Sequence, residues 1–292
     1  MTAHAGVVEP VVLIGAGRAG RALAAALRTV GVSSALVDRT QVVEQWGATV
    51  FVSRADAIAR AALILVAVRD GQLDAALDPL RVPGVMGDGA VVLQVSGSAE
   101  PAARERLSHT GVSYGTFHPL LPLLNPEVAR QRLQGAVIGV EGDAAAHAAA
   151  MHLATRLGAT TIEIPRADRA AYHAAAVIAS NFPVTLAALA EGLLSQIGVD
   201  STAAHRAVRA LMAASVENLA SAPRALDALT GPIARHDTAT VRAHATALQG
   251  MHPYHEVYDV VSRATLALLH ERGDDSVTVH AMETALDGDR LR

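Results

Sequence analysis

Two residue types are missing from this 292-residue chain, cysteine and lysine, and each absence excludes a class of chemistry. Without cysteine the chain has no disulfide, no thiolate nucleophile and no cysteine-ligated zinc or iron–sulfur site. All 24 basic residues are arginine, so no lysine acts as an acid, a base or a Schiff-base amine. Proton transfer by this protein therefore depends on other side chains.

Positive charge is also scarce. The formal net charge is −4, and the chain has no run of basic residues. A nucleic-acid-binding protein needs a basic surface, so we expect no nucleic-acid partner and predict a small-molecule substrate instead.

Targeting signals are weak or missing as well. Met1 to Pro10 has no basic segment and no apolar core, so we expect neither a secretory signal nor a transit peptide, and we predict a cytoplasmic protein. The stretch from Ala170 to Leu194 is long enough to cross a membrane, but it is mainly alanine. Polar residues and a proline interrupt it, so we predict a buried helix of a soluble domain and no membrane partner; these residues are His173, Ser180, Asn181, Pro183 and Glu191.

The order of apolar and amphipathic segments predicts an α/β fold. With 51% hydrophobic and 18% charged residues, the chain can form one large or two ordinary globular domains. Short apolar runs predict strands at Val11–Ile14, Ala35–Val37, Thr49–Val52, Ala61–Val68 and Val91–Val95. The segments between them predict helices at Arg18–Val30, Arg54–Arg60, Gly71–Leu80 and Pro101–Thr110. Alternation of this kind is typical of a doubly wound parallel sheet.

The strand pattern stops near residue 165. A strand at Ala136–Val140, a helix at Ala144–Leu157 and a strand at Thr160–Ile164 extend the first domain. From Asp168 onward the periodicity is helical and is broken by prolines and glycines such as Pro183. We therefore predict two domains, residues 1–165 with the sheet and residues 166–292 entirely helical.

A glycine-rich turn follows the first predicted strand. Its sequence is Gly15-Ala16-Gly17-Arg18-Ala19-Gly20. In this context Gly15 permits a tight turn, Gly17 lets a pyrophosphate approach the backbone, and Gly20 allows close packing of helix and strand. The first helix would offer its free N–H groups to the phosphates. The turn predicts a Rossmann-type dinucleotide site.

The end of the second strand indicates which dinucleotide binds. Asp38 is placed where an acidic residue commonly binds the ribose hydroxyls of NAD. Arg39 and Thr40 follow it, and a guanidinium with a hydroxyl suits the 2′-phosphate of NADP. We predict NADP, with NAD as the alternative if Arg39 only covers the adenine. Val68 and Ser96, at the ends of two further strands, complete the predicted cofactor site.

Four further motifs carry a resemblance to a known family. They are Val91-Val92-Leu93-Gln94-Val95-Ser96-Gly97-Ser98, Gly115-Thr116-Phe117-His118-Pro119-Leu120, Tyr172-His173-Ala174-Ala175-Ala176-Val177-Ile178-Ala179-Ser180-Asn181-Phe182 and Ala228-Leu229-Thr230-Gly231-Pro232-Ile233-Ala234-Arg235. From about residue 10 to residue 270 the chain resembles Rossmann-like proteins with a DUF2520 helical domain. These are relatives of ketopantoate reductase, 3-hydroxyacid dehydrogenase and pyrroline-5-carboxylate reductase.

The resemblance implies a two-domain NAD(P)-dependent oxidoreductase but no particular substrate. In one position the chain departs from the family, which usually has Gly-Asp after the last motif, whereas His236-Asp237 stands here. The conformation of that loop is therefore in question.

The proton donor is also in question. In the related hydroxyacid dehydrogenases a lysine lies one helical turn before the asparagine that corresponds to Asn181, and Val177 takes its place here. Histidine is the best substitute near neutral pH, so His118 and His173 are the candidate acids, with water or Tyr172 as the alternative. His118 is expected in a loop at the carboxyl edge of the sheet. Each histidine has a structural alternative, in which its ring only bonds a backbone carbonyl.

Several polar residues are candidates for holding the substrate. Asn181 is expected to position the reacting carbonyl, with Ser180 beside it, although a helix-to-helix hydrogen bond would explain Asn181 as well. Ser98 is placed to bind a carboxylate, although an ordinary turn would have the same sequence. Arg235 suits a bidentate contact with a carboxylate unless Asp237 pairs with it.

No metal is expected. His252 and His255 have a spacing seen in metal sites, with Glu256 adjacent, but Pro253 between them argues against one regular helical face.

The sequence leaves two functions open. The first is an NAD(P)H-dependent reductase of a small 2-oxo acid such as ketopantoate, or of a cyclic imine, bound at the cleft between the domains. The second is a sensor or scaffold that binds the dinucleotide without turnover, since a fold alone does not establish a reaction.

In either case we expect a homodimer formed by the helical domain, whose long first helix is apolar on most of its circumference.

Overall fold

The computed structural model describes residues 9–123 and 126–287 and divides into two compact units, residues 1–180 and 181–292. The first eight residues, on which the absence of a targeting signal was predicted, lie outside the described residues. All strands in the described ranges end before residue 165, and the second unit is helical there.

One eight-stranded sheet forms the centre of the first unit. Its strands, in chain order β1 to β8, are Val11–Ile14, Ser34–Val37, Val42–Trp46, Leu63–Val66, Val91–Gln94, Ser113–Pro119, Val137–Gly142 and Thr160–Glu163. The spatial order is β3-β2-β1-β4-β5-β6-β7-β8. Strands β2, β1, β4, β5 and β6 are parallel, whereas β3 and the β7–β8 pair run the other way. The predicted α/β Rossmann-type fold is confirmed, with antiparallel strands added at both sides of a parallel centre.

The helices of the first unit cover both faces of this sheet. They are α1 (Arg18–Thr29), α2 (Arg54–Arg60), α3 (Leu73–Leu77), α4 (Ala102–Ser108), α5 (Pro126–Leu133) and α6 (Ala144–Arg156). Alternate residues of the buried strands point to opposite faces. Leu13, Leu65 and Leu93 pack in one cluster with α1 and α6, while Ile14 and Val66 pack in the other with α2, α3 and α4.

Helix α7 (Arg169–Gln196) begins in the first unit and ends in the second. The second unit also contains α8 (Ser201–Ser221), α9 (Thr238–Ala247), α10 (Tyr254–Arg272) and α11 (Ser276–Asp287). Its core is formed by α9, α10 and α11, through Val241, Leu266 and Met282.

Three sequence expectations on local structure are wrong. The edge strand is Val42–Trp46 and not Thr49–Val52, because the chain turns back after β2 to pair with it antiparallel. The segment Gly71–Leu80 forms a five-residue helix between two 3₁₀ turns. His118 lies within strand β6 and not in a loop.

The long helix α7 is also less buried than predicted. Arg169 is its one residue classed as buried, and none of its most apolar 18-residue window is buried. Among the described residues, Arg166–Gln196 is the one segment long and apolar enough to cross a membrane, by length and composition alone. The prediction of a buried helix is wrong for the single chain, whose other helices leave this helix uncovered.

Two glycines of the first turn differ in how closely other atoms pack against them, and this difference can be tested. A Cβ atom on Gly20 would lie 1.9 Å from the carbonyl oxygen of Gly15, whereas a Cβ on Gly17 would meet no atom within 4 Å. We expect Gly20→Ala to lower the free energy of unfolding by about 1–3 kcal/mol, because the backbone must move. The control Gly17→Ala should change it by less than about 1 kcal/mol. Urea unfolding of both variants measures the difference, and equal losses would contradict this packing.

Candidate functional site

The glycine-rich turn lies where the order of the sheet reverses. From β1 the chain passes to β2 on one side and, after β3, to β4 on the other. Gly15 has φ +115°, a conformation that L side chains rarely adopt, and a Cβ there would lie 2.6 Å from the carbonyl oxygen of Ala67. This packing brings the turn against the end of β4, at the edge where doubly wound sheets bind their ligands.

The N-terminus of α1 is free to receive an anion. Gly17 is the N-cap residue, and no side chain caps the helix. The first turn contains no acidic residue. Gly17 and Arg18 are exposed, and the face of Gly17 on which a Cβ would stand is open. Unpaired N–H groups, the positive end of the helix dipole and open space together fit a pyrophosphate.

Asp38 holds its own loop together after β2. Its Oδ1 atom accepts hydrogen bonds from the backbone N–H groups of Thr40 and Gln41, both at 2.8 Å, and from the Thr40 hydroxyl at 3.1 Å. The two backbone bonds contribute most to lowering the pKa of Asp38. The carboxylate therefore stays ionised and is directed partly into its own loop.

Two arginines lie at this loop, and the sequence analysis identified one of them. Arg39 is exposed and has no ion pair within residues 9–123 and 126–287. Arg54, at the start of α2, donates through Nε to the backbone oxygen of Asp38 at 3.0 Å. Arg54 reaches this loop because the hairpin of β2 and β3 returns the chain to the end of β2 before α2 begins. The sequence analysis placed the third strand at Thr49–Val52 and therefore did not show this return.

The segment after β5 is a tightly bonded turn. The Gln94 side chain, fully buried, donates to the carbonyl oxygens of Ser96 at 3.1 Å and Ala99 at 2.7 Å. The Ser96 hydroxyl accepts from the Ala99 N–H, so it has a structural partner. The Ser98 side chain is half-buried and forms no hydrogen bond with any described residue.

His118 lies at the carboxyl edge of the sheet although it is within a strand. Gln94, the last residue of β5, pairs in register with Thr116, so His118 extends beyond the end of β5. Its ring packs on Gly97, where a Cβ would come within 2.6 Å of the ring. The position at the edge was predicted; the strand conformation was not, because polar residues interrupt the apolar pattern of β6.

Tyr172 and His173 bring the start of α7 against His118. The Tyr172 hydroxyl and His118 Nδ1 are 2.7 Å apart, and the His173 ring centroid lies 5.7 Å from that of His118. His173 Nδ1 is buried without a hydrogen-bond partner in the described ranges, so a bond from this atom to a backbone carbonyl is not formed. The structure therefore brings the two predicted histidines together and adds a tyrosine.

Burial changes the protonation of this group. It lowers the pKa of His118 to about 4, and the neighbouring His173 and Arg169 act in the same direction, while Asp70 opposes them. Burial also raises the pKa of Tyr172 to about 12. At neutral pH both side chains are uncharged.

A charge network, not predicted from the sequence, holds these elements in place. Arg169 is 4% exposed and donates to Glu100 at 2.9 Å and to the backbone oxygen of Ala99 at 2.7 Å. Arg104 makes a two-nitrogen contact with Glu141 on β7 and lies 3.6 Å from Glu100. The network joins the turn after β5 to α4, β7 and the start of α7. The one feature of the sequence that could have indicated this network is Arg169, a charged residue at the start of an otherwise apolar helix.

The remaining predicted residues fall in other places. The Ser180 hydroxyl bonds the backbone oxygen of Ala176 at 2.7 Å, within α7. Asn181 begins the second unit and is exposed. Arg235, also in the second unit, is exposed, and Asp237 caps α9 through Thr240 at 3.0 Å.

The loop that departs from the family keeps the backbone that a glycine would favour. His236 has φ +58°, in the left-handed region, and its Nε2 atom lies 3.2 Å from Asp274. Nearby, His252 contacts Glu256. The described residues contain no group of three or more histidine, aspartate or glutamate side chains placed to hold a metal ion.

Solved structures share this fold. TM1727 from Thermotoga maritima has a TM-score of 0.68 at 22% identity, covering 90% of this chain and 99% of that one. BF3122 from Bacteroides fragilis has a TM-score of 0.61 at 22% identity, covering 88% and 97%. Pyrroline carboxylate reductase from Plasmodium falciparum, solved with NADP bound, has a TM-score of 0.54 at 12% identity, covering 97% of each chain.

One family model matches the chain. It is described as "Domain of unknown function (DUF2520)" and covers residues 136–265, from the segment before β7 into α10. No curated protein matches the chain. The resemblance predicted from the motifs is confirmed, in that residues 136–265 match the DUF2520 model and the chain has a Rossmann-type fold.

Proposed function

We propose that this protein is an NAD(P)H-dependent reductase of a small carbonyl or imine compound. The observation that carries the proposal is the turn from Gly15 to Gly20, with an uncapped helix N-terminus and open space at Gly17. These features fit a dinucleotide pyrophosphate and would serve little purpose in a purely structural turn. When bound, the nicotinamide supplies the hydride, and the residues of the chain bind, orient and protonate.

NADP is the proposed cofactor, and NAD is the alternative. Asp38 uses Oδ1 within its own loop, whereas Arg39 is exposed and Arg54 is anchored beside it. Two guanidinium groups near the ribose position favour a 2′-phosphate. The Plasmodium falciparum enzyme of the same fold was solved with NADP bound, which supports this choice.

The substrate end is proposed at the carboxyl ends of β4 to β6. Val68, after β4, lies against Gly15, and Ser96 and Ser98 lie in the turn after β5. His118 on β6 and His173 on α7 form the proposed centre for proton transfer.

We propose substrate roles for Ser98, Ser180, Asn181 and Arg235, with Asn181 positioning the carbonyl and Arg235 binding a carboxylate. A 2-oxo acid such as ketopantoate is the first candidate substrate and a cyclic imine the second. Relatives of the same fold include pyrroline carboxylate reductase, whose substrate class is consistent with the second candidate.

A dinucleotide sensor or scaffold without turnover is the alternative function. The absence of lysine, which removes the acid of related dehydrogenases, is the observation in its favour. Both functions require cofactor binding. Loss of NADPH absorbance with a panel of 2-oxo acids and cyclic imines separates them, since a sensor binds NADPH but consumes none.

We further propose a cytoplasmic homodimer formed through the helical part of the chain. Large apolar side chains of α7 and α8 are exposed in the single chain, and so many exposed apolar side chains are unusual for a soluble monomer. They include Phe182, Val184, Leu186, Leu211 and Val216. A second copy of the chain is the proposed partner, because between Ala170 and Gln196 α7 contains one acidic residue, Glu191, and no arginine, so that a second α7 could pack on it without charge repulsion.

Gly17→Val tests the pyrophosphate site. Because the position is open and its backbone conformation is ordinary, we expect the variant to fold with an unchanged urea midpoint. It should bind NADPH at least about 100-fold more weakly, a loss of about 2.7 kcal/mol. Isothermal titration calorimetry measures the affinity, with Thr29→Val at the other end of α1 as control. Parent affinity in Gly17→Val would place the nucleotide elsewhere.

Arg39→Ala tests the choice of cofactor. Loss of one charge-assisted contact should weaken NADPH binding about 10- to 100-fold and leave NADH binding unchanged, so that the preference is lost or reversed. Arg28→Ala, an exposed arginine at the far end of α1, is the matched control. If both cofactors bind Arg39→Ala as they bind the parent, Arg39 only packs beside the adenine.

Light scattering tests the dimer. At micromolar concentration we expect twice the mass of one chain, and Val184→Glu should produce a monomer by placing a charge on the apolar face of α7. Val82→Glu, on an exposed valine of the first unit, should remain dimeric. A monomeric parent protein would rule out the proposed assembly.

A further inference from the structure

We propose that the Tyr172 hydroxyl delivers the proton in the reduction, and that His118 is the positioning residue that holds this hydroxyl and restores its proton. The inference rests on the reductase function proposed above. It assigns the acid role to a residue on α7 and changes the role of His118.

The Tyr172 hydroxyl is fixed from two directions. It lies 2.7 Å from His118 Nδ1, with the two rings edge to face at 85° and 5.5 Å between centroids. The same hydroxyl packs over Gly139, where a Cβ would come within 2.2 Å of the oxygen. Gly139 pairs in register with His118 across β6 and β7. Glycine at this position makes room for the tyrosine over the sheet.

The His118 ring is held just as firmly. Gly97 lies against it without a side chain, and the centroid of the His173 ring lies 5.7 Å from that of His118. Arg169, one helical turn before His173 on α7, is locked by Glu100. The remaining charged group near the ring is Asp70, from the turn after β4. The pair is therefore built from three elements, β6, the turn after β5 and the start of α7.

Protonation decides which member of the pair gives up a proton. Burial lowers the pKa of His118 to about 4, so the ring is neutral near pH 7 and has no imidazolium proton to donate. Tyr172 keeps its proton, because burial raises its pKa to about 12. A neutral hydroxyl backed by a neutral imidazole is the donor that remains in a chain without lysine.

The proton transfer balances with both side chains ending neutral. As hydride reaches the carbonyl carbon, the carbonyl oxygen takes the Tyr172 proton and the Tyr172 O–H bond breaks. The tyrosine oxygen takes the proton from His118 Nδ1 as His118 Nε2, which bonds no described residue, takes a proton from the solvent. The ring passes from one neutral tautomer to the other, and the solvent supplies the net proton that the product contains.

Tyr172→Phe tests the donor, because it removes the hydroxyl and keeps the ring. Two kinds of probe are used with NADPH: a panel of 2-oxo acids headed by ketopantoate, and N-methyl-1-pyrrolinium, a permanent cation that needs hydride but no proton. We expect kcat to fall about 10² to 10⁴-fold for an oxo acid. For the pyrrolinium we expect a change of less than about 3-fold, with unchanged affinity for NADPH. Tyr258→Phe is the matched control, since its hydroxyl makes a similar contact with His244 in the second unit.

The pH profile tests the role of His118. With groups of pKa about 4 and about 12, kcat for the oxo acid should be flat from about pH 5 to about pH 9. An imidazolium acid with an ordinary pKa of about 6.5 would instead lose rate as pH rises above that value. His118→Asn should lower kcat and leave KM unchanged, and added imidazole should restore part of the rate.

The outcomes separate the two proposals. If Tyr172→Phe reduces an oxo acid at the parent rate, the role of Tyr172 is overturned and the reductase function is left intact. A parent rate with the oxo acid that falls above about pH 6.5 has the same consequence. So does a parent protein that reduces the pyrrolinium but no oxo acid, because that reaction needs no proton donor. If the parent binds NADPH but reduces neither probe, the reductase function fails and the inference fails with it.

Discussion

The close approach of the backbone at Gly15 and Gly20 is the constraint on which the rest of the proposed nucleotide site depends. A Cβ on either residue would overlap a carbonyl oxygen, of Ala67 and Gly15 respectively. Because neither has one, β1, the end of β4 and the start of α1 meet at the point where the sheet order reverses. The helix then begins without a side-chain cap, and its N–H groups remain available to an anion. Packing and binding therefore follow from the same missing side chains.

A second constraint, electrostatic in nature, fixes the other half of the site. Glu100 accepts from Arg169 and lies near Arg104, which in turn holds Glu141. Arg169 is almost fully buried, and a buried guanidinium is stable only when it is paired and hydrogen-bonded. Satisfying it fixes the first turn of α7, and with it Tyr172, against the sheet. Since burial then keeps His118 neutral, this charge network determines the acid–base character of the Tyr172–His118 pair.

The sequence predicts the parts of this protein that depend on local pattern. Glycine spacing after an apolar run located the turn from Gly15 to Gly20, and the run of β4 was evident because both of its faces are buried. It could not locate β6, since Thr116 and His118 are polar residues in a strand whose environment is set by distant elements. Nor could it show that Tyr172 contacts His118, because that contact depends on Gly139, whose only sequence signal is the lack of a side chain. The sequence predicted α7 both as a buried helix and as a dimer surface, because an apolar helix has the same sequence whether its own chain or another molecule covers it.

The central claim is that a dinucleotide bound at the Gly15–Gly20 turn presents its nicotinamide to the Tyr172–His118 pair. A crystal structure of the protein with NADP⁺ tests it most directly. The account predicts the pyrophosphate on the N–H groups at the start of α1, the 2′-phosphate on Arg39, and nicotinamide C4 directed toward the Tyr172 hydroxyl across a gap that fits a small substrate. A nucleotide bound away from the turn, or one bound there with C4 directed away from Tyr172, would contradict it.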